Sequence, residues 1–295
     1  MQAYIEKAST LIEALPYIQR FRGATVVVKV GGSVMEDQAG LDRLLSDVAF
    51  MATVGMKVAL VHGGGKAISR GMERCGIAPR FVQGLRVTCE KTMAVVESVI
   101  KREVNASVVR TLRAHGANAH PLHGDWIFTV TRKTGIDAQT GAPLDWGFVG
   151  DPVSVASPTV RDMLDAGVVP VVTPLGLDSE GRLHNVNADA AASALAKALG
   201  ARKLAFISDV PGLLRDVNDP ESLISSLPVG RIGTLRRDGI IGGGMLPKLD
   251  SCAEAIRAGV GKVHLIDGRM PHSLLLEIFT KKGVGTEIIA DEQEQ

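Results

Sequence analysis

The chain alternates short, continuous apolar runs with longer stretches in which apolar side chains recur every three or four residues. Residues 25–30 (Thr-Val-Val-Val-Lys-Val), 58–62, 168–173, 203–208 and 262–267 are apolar runs, most of them rich in Val, Ile and Leu. Continuous runs of this kind suit strands covered on both faces. Between them the spacing predicts helices over 40–54, 65–75, 90–115, 157–166, 188–199, 248–258 and 271–281. Strand, helix, strand repetition predicts an α/β sandwich around a mostly parallel sheet. Ligands of such folds bind beyond the carboxyl ends of the strands, so chemistry is sought there.

Two segments fall outside that rhythm. Ala8, Leu11, Leu15 and Ile18 recur at spacings of three and four ahead of the first strand. They mark one face of an appended helix, which Pro16 should end or kink. Such a helix packs on its own domain or docks on a neighbouring subunit. Residues 132–147 carry turn signals at Gly135 and Gly141 and read as a hairpin arm, either a plain surface hairpin or a wall over a small substrate. Trp126 and Trp146 flank it and are taken as packing residues, and the polar tail 291–295 is expected to fray.

Composition narrows the class. With 33 basic and 32 acidic side chains in 295 residues the formal charge is +1. That gives no electrostatic reason for nucleic acid or a lipid surface as partner. No run reaches the roughly 18 apolar residues of a membrane helix, and Glu6, Lys7 and Glu13 interrupt any signal-peptide core. Cys75, Cys89 and Cys252 are far apart and form no CxxC, which reads as three reduced thiols in a cytoplasm. His120, His123, His184 and His264 have no metal-ligand spacing, so no protein-bound metal is expected.

Three glycine-rich turns carry the candidate chemistry. Lys29-Val30-Gly31-Gly32-Ser33 closes the first strand, His62-Gly63-Gly64-Gly65-Lys66 closes the second, and Gly242-Gly243-Gly244 lies just before Lys248. Glycine lets backbone N–H groups approach an anion, and the helix expected after Gly65 adds its free N–H groups. Together the turns point to polyphosphate chemistry. The P-loop, the GxGxxG dinucleotide fingerprint and the protein-kinase signatures are absent. Lys29 and Lys248 are either solvated lysines or ammonium groups at the phosphate-binding edge. Arg86 is either a surface arginine or a bidentate carboxylate clamp. Asn185-Val-Asn-Ala-Asp189 opens an alanine-rich helix and holds more polar side chains than one cap requires. Ser208-Asp209, ahead of Leu213, is a turn at a strand end, and His62 reads as structural.

These segments, in this order, resemble the amino acid kinase superfamily, most of all its N-acetylglutamate kinases: 28–33, 61–66, 84–88, 185–189, 208–213 and 243–248. The resemblance covers nearly the whole chain and implies a three-layer αβα sandwich with an N-terminal appended helix. It implies ATP, with Mg²⁺ carried on the nucleotide phosphates, and N-acetylglutamate as acceptor, phosphorylated on its side-chain carboxylate as the second step of arginine biosynthesis. By position, Lys29 and Lys248 would neutralise the phosphoryl group in flight and Asp189 would hold both. Gly64, Gly65, Arg86 and Asn185 would bind the acceptor. Gly31, Gly32, Ser208, Asp209 and Leu213 would bind the nucleotide. Residues 1–23 would form an oligomerisation helix, 24–200 the acceptor lobe and 201–295 the nucleotide lobe. Segments 13–21 and 276–286 resemble the arginine-inhibited, hexameric branch, which makes Tyr17, His264 and Glu277 candidates for an arginine site. Two departures stand out. Residues 122–127 lack the lysine of the family's Ser-Gly-Lys-Asp-Gly run, and Asn105 is followed by Ala106 rather than lysine. They leave open a related acidic acceptor of the aminoadipate type, or a catalytically silent nucleotide-binding regulatory subunit.

Overall fold

The computed structural model describes residues 1–137, 140–241, 245–280 and 283–291. Helix α1 (Gln2–Phe21) comes first and is followed by β1 (Thr25–Val30), α2 (Gln38–Thr53), β2 (Lys57–His62) and α3 (Gly65–Arg74). A small hairpin of β3 (Phe81–Val82) and β4 (Leu85–Arg86) precedes α4 (Glu90–Ser98), α5 (Ala106–Ala114) and β5 (Ala119–Leu122). Then come β6 (Phe128–Ile136), β7 (Pro143–Val155), α6 (Ser157–Asp165), β8 (Val169–Val172), β9 (Leu175–Leu177), β10 (Leu183–Val186) and α7 (Ala188–Leu199). The remainder is β11 (Lys203–Ser208), β12 (Ser226–Pro228), α8 (Ile232–Arg237), α9 (Met245–Arg257), β13 (Lys262–Asp267), α10 (Ser273–Phe279) and β14 (Thr286–Ile289).

Eight strands form the central sheet in the order β12-β14-β13-β11-β1-β2-β8-β5. All neighbours run parallel except β13 and β14. The continuous Val/Ile runs are explained by helices on both faces. Val27, Ala59, Leu204 and Phe206 pack under α7 and α9, whereas Val26, Val28, Val30 and Ile207 pack under α2, α5 and α10. Each of the Val, Leu, Ile and Phe side chains among them, fully buried, contributes about 1.5–3 kcal/mol. A second sheet, β10-β7-β6-β9, closes on itself beside the first. The expected arm 132–147 belongs to its long β6–β7 hairpin, though Ala138 and Gln139 at its tip lie outside the described residues.

Several expectations need correction. The helix at the N-terminus does not end at Pro16 but continues to Phe21. Its last turn is held by packing, since Phe21 is buried and meets Phe279 edge to face at 6.4 Å. The helix expected over 90–115 is interrupted by a π-helical stretch at Val99–Asn105. Trp146 is a packing residue, but Trp126 is 67% exposed and is not. Among the described residues no helix is long and apolar enough to cross a membrane.

Candidate active site

The parallel sheet sets the site through strand alternation. Lys29 shares the face of Val27, so its side chain leaves β1 toward α7 and α9, at the carboxyl end of the strand. Helix α7 begins beneath it. The Asn187 side chain caps that helix by accepting from the N–H groups of Asp189 (2.8 Å) and Ala190 (3.1 Å), and Gly200 closes it in the left-handed conformation. Because Asn187 does the capping, Asp189 is free to face the sheet. Its Oδ1 lies 2.8 Å from Lys29 Nζ and its Oδ2 3.8 Å from Lys248 Nζ on α9. Burial alone would raise the Asp189 carboxyl. The two ammonium groups outweigh it and hold the carboxyl below its ordinary range. The Lys248 ammonium also sits 5.8 Å above the Phe206 ring. The two lysines, 219 residues apart in sequence, converge on one carboxylate.

Two glycine turns abut this triad. Gly31 has the Lys29 ammonium folded across it, so a side chain there would displace that ammonium. Gly32 takes φ +65°, which glycine adopts without strain. Ser33 Oγ donates to Asp209 Oδ2 at 2.9 Å, tying the turn to the end of β11. That hydrogen bond is the main reason the Asp209 carboxyl lies low. Ser208 is buried with no hydrogen-bond partner for Oγ among the described residues, and the Leu213 N–H donates to Thr286 Oγ1 at 2.8 Å. The second turn is pinned to the first, since the Gly63 N–H donates to Val30 O at 2.8 Å. His62 anchors it from below. Its Nδ1 donates to Gly63 O at 2.7 Å, which leaves Nε2 to accept from Asn105 Nδ2 at 3.0 Å. Complete burial pushes the imidazole down to about 4, so it is neutral at pH 7 and structural, as expected. Helix α3 then starts at Gly65 with no side-chain cap on its first N–H groups among the described residues. The third turn, Gly242–Gly244, lies outside the described residues.

Arg86 is not a surface arginine: it is 6% exposed. Its Nη2 donates to Gly65 O (2.7 Å) and Ser69 Oγ (2.8 Å), and Nη1 donates to Met72 Sδ (3.1 Å). Among the described residues it has no carboxylate partner. A buried cation without a counter-ion beside a helix N-terminus suits an anionic ligand. Asn185 is the last residue but one of β10, four residues before Asp189, half-buried and with no side-chain hydrogen bond among the described residues. The segment 122–127 turns back on the chain, with Asp125 Oδ2 3.0 Å from Lys101 Nζ. Among the described residues no group of three or more His, Cys, Asp or Glu side chains is placed to hold a metal ion. A triphosphate fits these residues, because two ammonium groups and two glycine turns face the same edge of the sheet.

A second cavity, of about 850 Å³, lies at the other end of β11. Tyr17, Arg20, Lys203, His264, Glu277 and Glu287 line it. Lys203 Nζ meets His264 Nε2 at 3.0 Å, and His264 Nδ1 meets Glu277 Oε1 at 2.6 Å. Glu277 Oε2 accepts from the N–H groups of Val284 and Gly285. Against the opposing effect of burial, the His264 hydrogen bond leads in holding the Glu277 carboxyl down to about 2. Burial pushes the Lys203 amine down to about 8. The three candidate residues at positions 17, 264 and 277 therefore line one cavity, and two of them, His264 and Glu277, are in contact. Lys203 was missed, because only the pairing of β11 with β13 brings it to His264.

The family model of the amino acid kinase family matches residues 24–267. An acetylglutamate kinase of Heliobacterium modesticaldum is 46% identical over 290 residues, covering 97% of this chain and 98% of that one. An acetylglutamate kinase of Archaeoglobus fulgidus is 42% identical over 288 residues, covering 96% and 99%. Among solved structures, N-acetylglutamate synthase of Neisseria gonorrhoeae complexed with coenzyme A and N-acetyl-glutamate superposes with a TM-score of 0.83 at 25% identity. The alignment covers 97% of this chain and only 64% of that longer one. Carbamate kinase of Giardia lamblia shares the fold, with a TM-score of 0.66 at 19% identity over 91% of this chain and 99% of that one.

Proposed function

This chain belongs to the amino acid kinase family, and from that premise we infer that it transfers the γ-phosphoryl group of ATP to the side-chain carboxylate of N-acetyl-L-glutamate, the second step of arginine biosynthesis. The observation that carries this reading is the convergence of Lys29 and Lys248 on Asp189 beside the glycine turns. A carboxylate acceptor has an ordinary pKa of about 4.3, so at pH 7 it is already the nucleophile and no general base is required. One carboxylate oxygen attacks the γ-phosphorus, the bond to the β-phosphate oxygen breaks, and ADP leaves with that electron pair. The products are ADP and an acyl phosphate, and no proton moves. The obstacle is repulsion between two anions. In this reading the two lysines neutralise the phosphoryl oxygens, and Asp189 keeps them in place before reaction. Mg²⁺ borne on the nucleotide phosphates supplies further neutralisation.

In the same reading Gly64, Gly65, Asn185 and Arg86 hold the acceptor, with Arg86 on its α-carboxylate. Gly31, Gly32, Ser208, Asp209 and Leu213 hold the nucleotide, so residues 24–200 form the acceptor lobe and 201–295 the nucleotide lobe. Residues 1–23 join subunits of a cytoplasmic hexamer; the exposed apolar side chains Tyr4, Ile5, Leu11, Ile12 and Leu15 on α1 support this. The cavity with Tyr17, His264 and Glu277 takes arginine as feedback inhibitor, supported by its mixture of buried carboxylate and cations. Titration calorimetry with L-arginine, paired with inhibition, tests that part; no heat and no inhibition end it. The activity itself is tested by ADP release with N-acetylglutamate, with an aminoadipate-type acid and with no acceptor. ADP release dependent on N-acetylglutamate supports the reading. Preference for the longer acid moves the substrate assignment, and no release with either makes the chain a silent nucleotide binder.

A further inference from the structure

The hairpin β3–β4 turns through Gln83 and Gly84, both left-handed at φ +49° and +78°. Two consecutive left-handed residues make the type I′ turn that suits a two-residue hairpin, and that turn fixes the register. Phe81 is thereby paired directly across from Arg86. Its ring lies 4.6 Å from the Arg86 guanidinium carbon. The hairpin does not float, because Trp146 Nε1 on β7 donates to Val82 O at 2.9 Å. Phe81 is nonetheless 54% exposed, while the Arg86 it covers is 6% exposed.

Three of the five guanidinium N–H donors are spent on Gly65 O, Ser69 Oγ and Met72 Sδ. Two remain without a protein partner among the described residues. A carboxylate stacked or paired there would stabilise the buried charge but would compete with an anionic ligand for those donors. An aromatic face stabilises the charge through its quadrupole and takes none of the remaining N–H donors. We propose that Phe81 is a positioning residue for acceptor recognition, its ring orienting and stabilising the Arg86 guanidinium in place of a counter-ion. This rests on the assignment of Arg86 to the acceptor carboxylate.

Steady-state kinetics with N-acetylglutamate and ATP varied separately test it. Phe81→Leu should raise the KM for N-acetylglutamate about three- to tenfold, from the worth of one cation–π contact at a partly exposed site. The KM for ATP and kcat should stay within about twofold, and Phe81→Tyr should restore the acceptor KM. Replacing Phe81 by 3,5-difluorophenylalanine keeps the shape and weakens the quadrupole, so it should raise the acceptor KM with no change in melting temperature. The proposal is overturned if the acceptor KM of the Leu and difluoro variants equals that of the native chain, or if Phe81→Tyr is as impaired as Phe81→Leu. Arg86→Lys, measured in parallel, separates the two levels. If it raises the acceptor KM while Phe81→Leu does not, only the role of Phe81 falls. If Arg86→Lys itself leaves the acceptor KM unchanged, the assignment of Arg86 falls and the proposal with it.

Discussion

Replacing Asp189 by asparagine keeps the shape of the side chain and removes the charge that both lysines share. Asp189 stands 2.8 Å from Lys29 Nζ and 3.8 Å from Lys248 Nζ. At an effective dielectric of about 20 these contacts are worth about 6 and about 4 kcal/mol of gross attraction. Much of that offsets desolvation, and breaking a buried pair by removing one partner costs about 3–5 kcal/mol net. The ligand-free Asp189→Asn protein should therefore be less stable by about that amount in chemical denaturation. ATP brings new negative charge to the same two ammonium groups, so nucleotide should recover part of the loss. The KM for ATP should stay level or fall. Turnover should drop roughly 10²–10³-fold, because the lysines must now be ordered during the reaction rather than before it. Steady-state kinetics with ATP and N-acetylglutamate, beside urea denaturation with and without nucleotide, measure all three quantities. A kcat within threefold of the native value, or a raised KM for ATP with kcat intact, refutes the claim that Asp189 works by holding the lysines.

Three further outcomes follow from the same geometry. Lys248→Ala should lose roughly 10²–10³ in kcat while the fold survives, since one preorganised charge donor is removed; unchanged turnover takes Lys248 out of the mechanism. Gly31 has an extended φ of −163°, open to any residue, but a methyl group there meets the Lys29 ammonium. Gly31→Ala should therefore cut kcat by at least tenfold while costing less than about 1 kcal/mol of stability, within the range of a minor substitution; stable and fully active protein contradicts this packing. The folded pKa of His62, about 4 against 6.5 unfolded, makes the unfolded chain the better proton binder between those values. Its contribution is complete above pH 6.5 and falls away toward pH 4, by up to about 3 kcal/mol. Denaturation curves across that interval should flatten in His62→Gln, and an identical slope in both proteins rules His62 out as the cause.

The central strands were readable because continuous runs such as 25–30 and 203–208 leave no other way to bury every side chain. The observed β1 and β11 keep those bounds. The strands that escaped notice, among them β9 (Leu-Gly-Leu) and β12 (Ser-Leu-Pro), are short and contain glycine or proline. β12 pairs with β14, far along the chain, and β9 is only three residues long, so local pattern carries little of their signal. The same distinction runs through the site. Lys29 and Asp189 stood out as candidates because each sits at the junction of a strand or helix with a turn, while their shared role came only from the family resemblance. The stacking of Phe81 on Arg86 depends on a hairpin register that only the left-handed pair Gln83–Gly84 settles. Lys203 reaches His264 through sheet order, which periodicity cannot reveal. Pro16 does not end its helix, whose last turn is held by the edge-to-face contact of Phe21 with Phe279.

The sheet order has a consequence for biogenesis. Strand β1 ends up at the heart of the sheet, between β2 and β11, yet β11 is specified only by residues 203–208. While the ribosome is still translating the first two-thirds of the message, one flank of a mostly apolar strand has unsatisfied main-chain groups and no neighbour. Such a flank is a template for pairing with another nascent chain. Polysome-bound or truncated forms that stop before residue 203 should thus be heavy clients of holding chaperones, and the completed polypeptide should not.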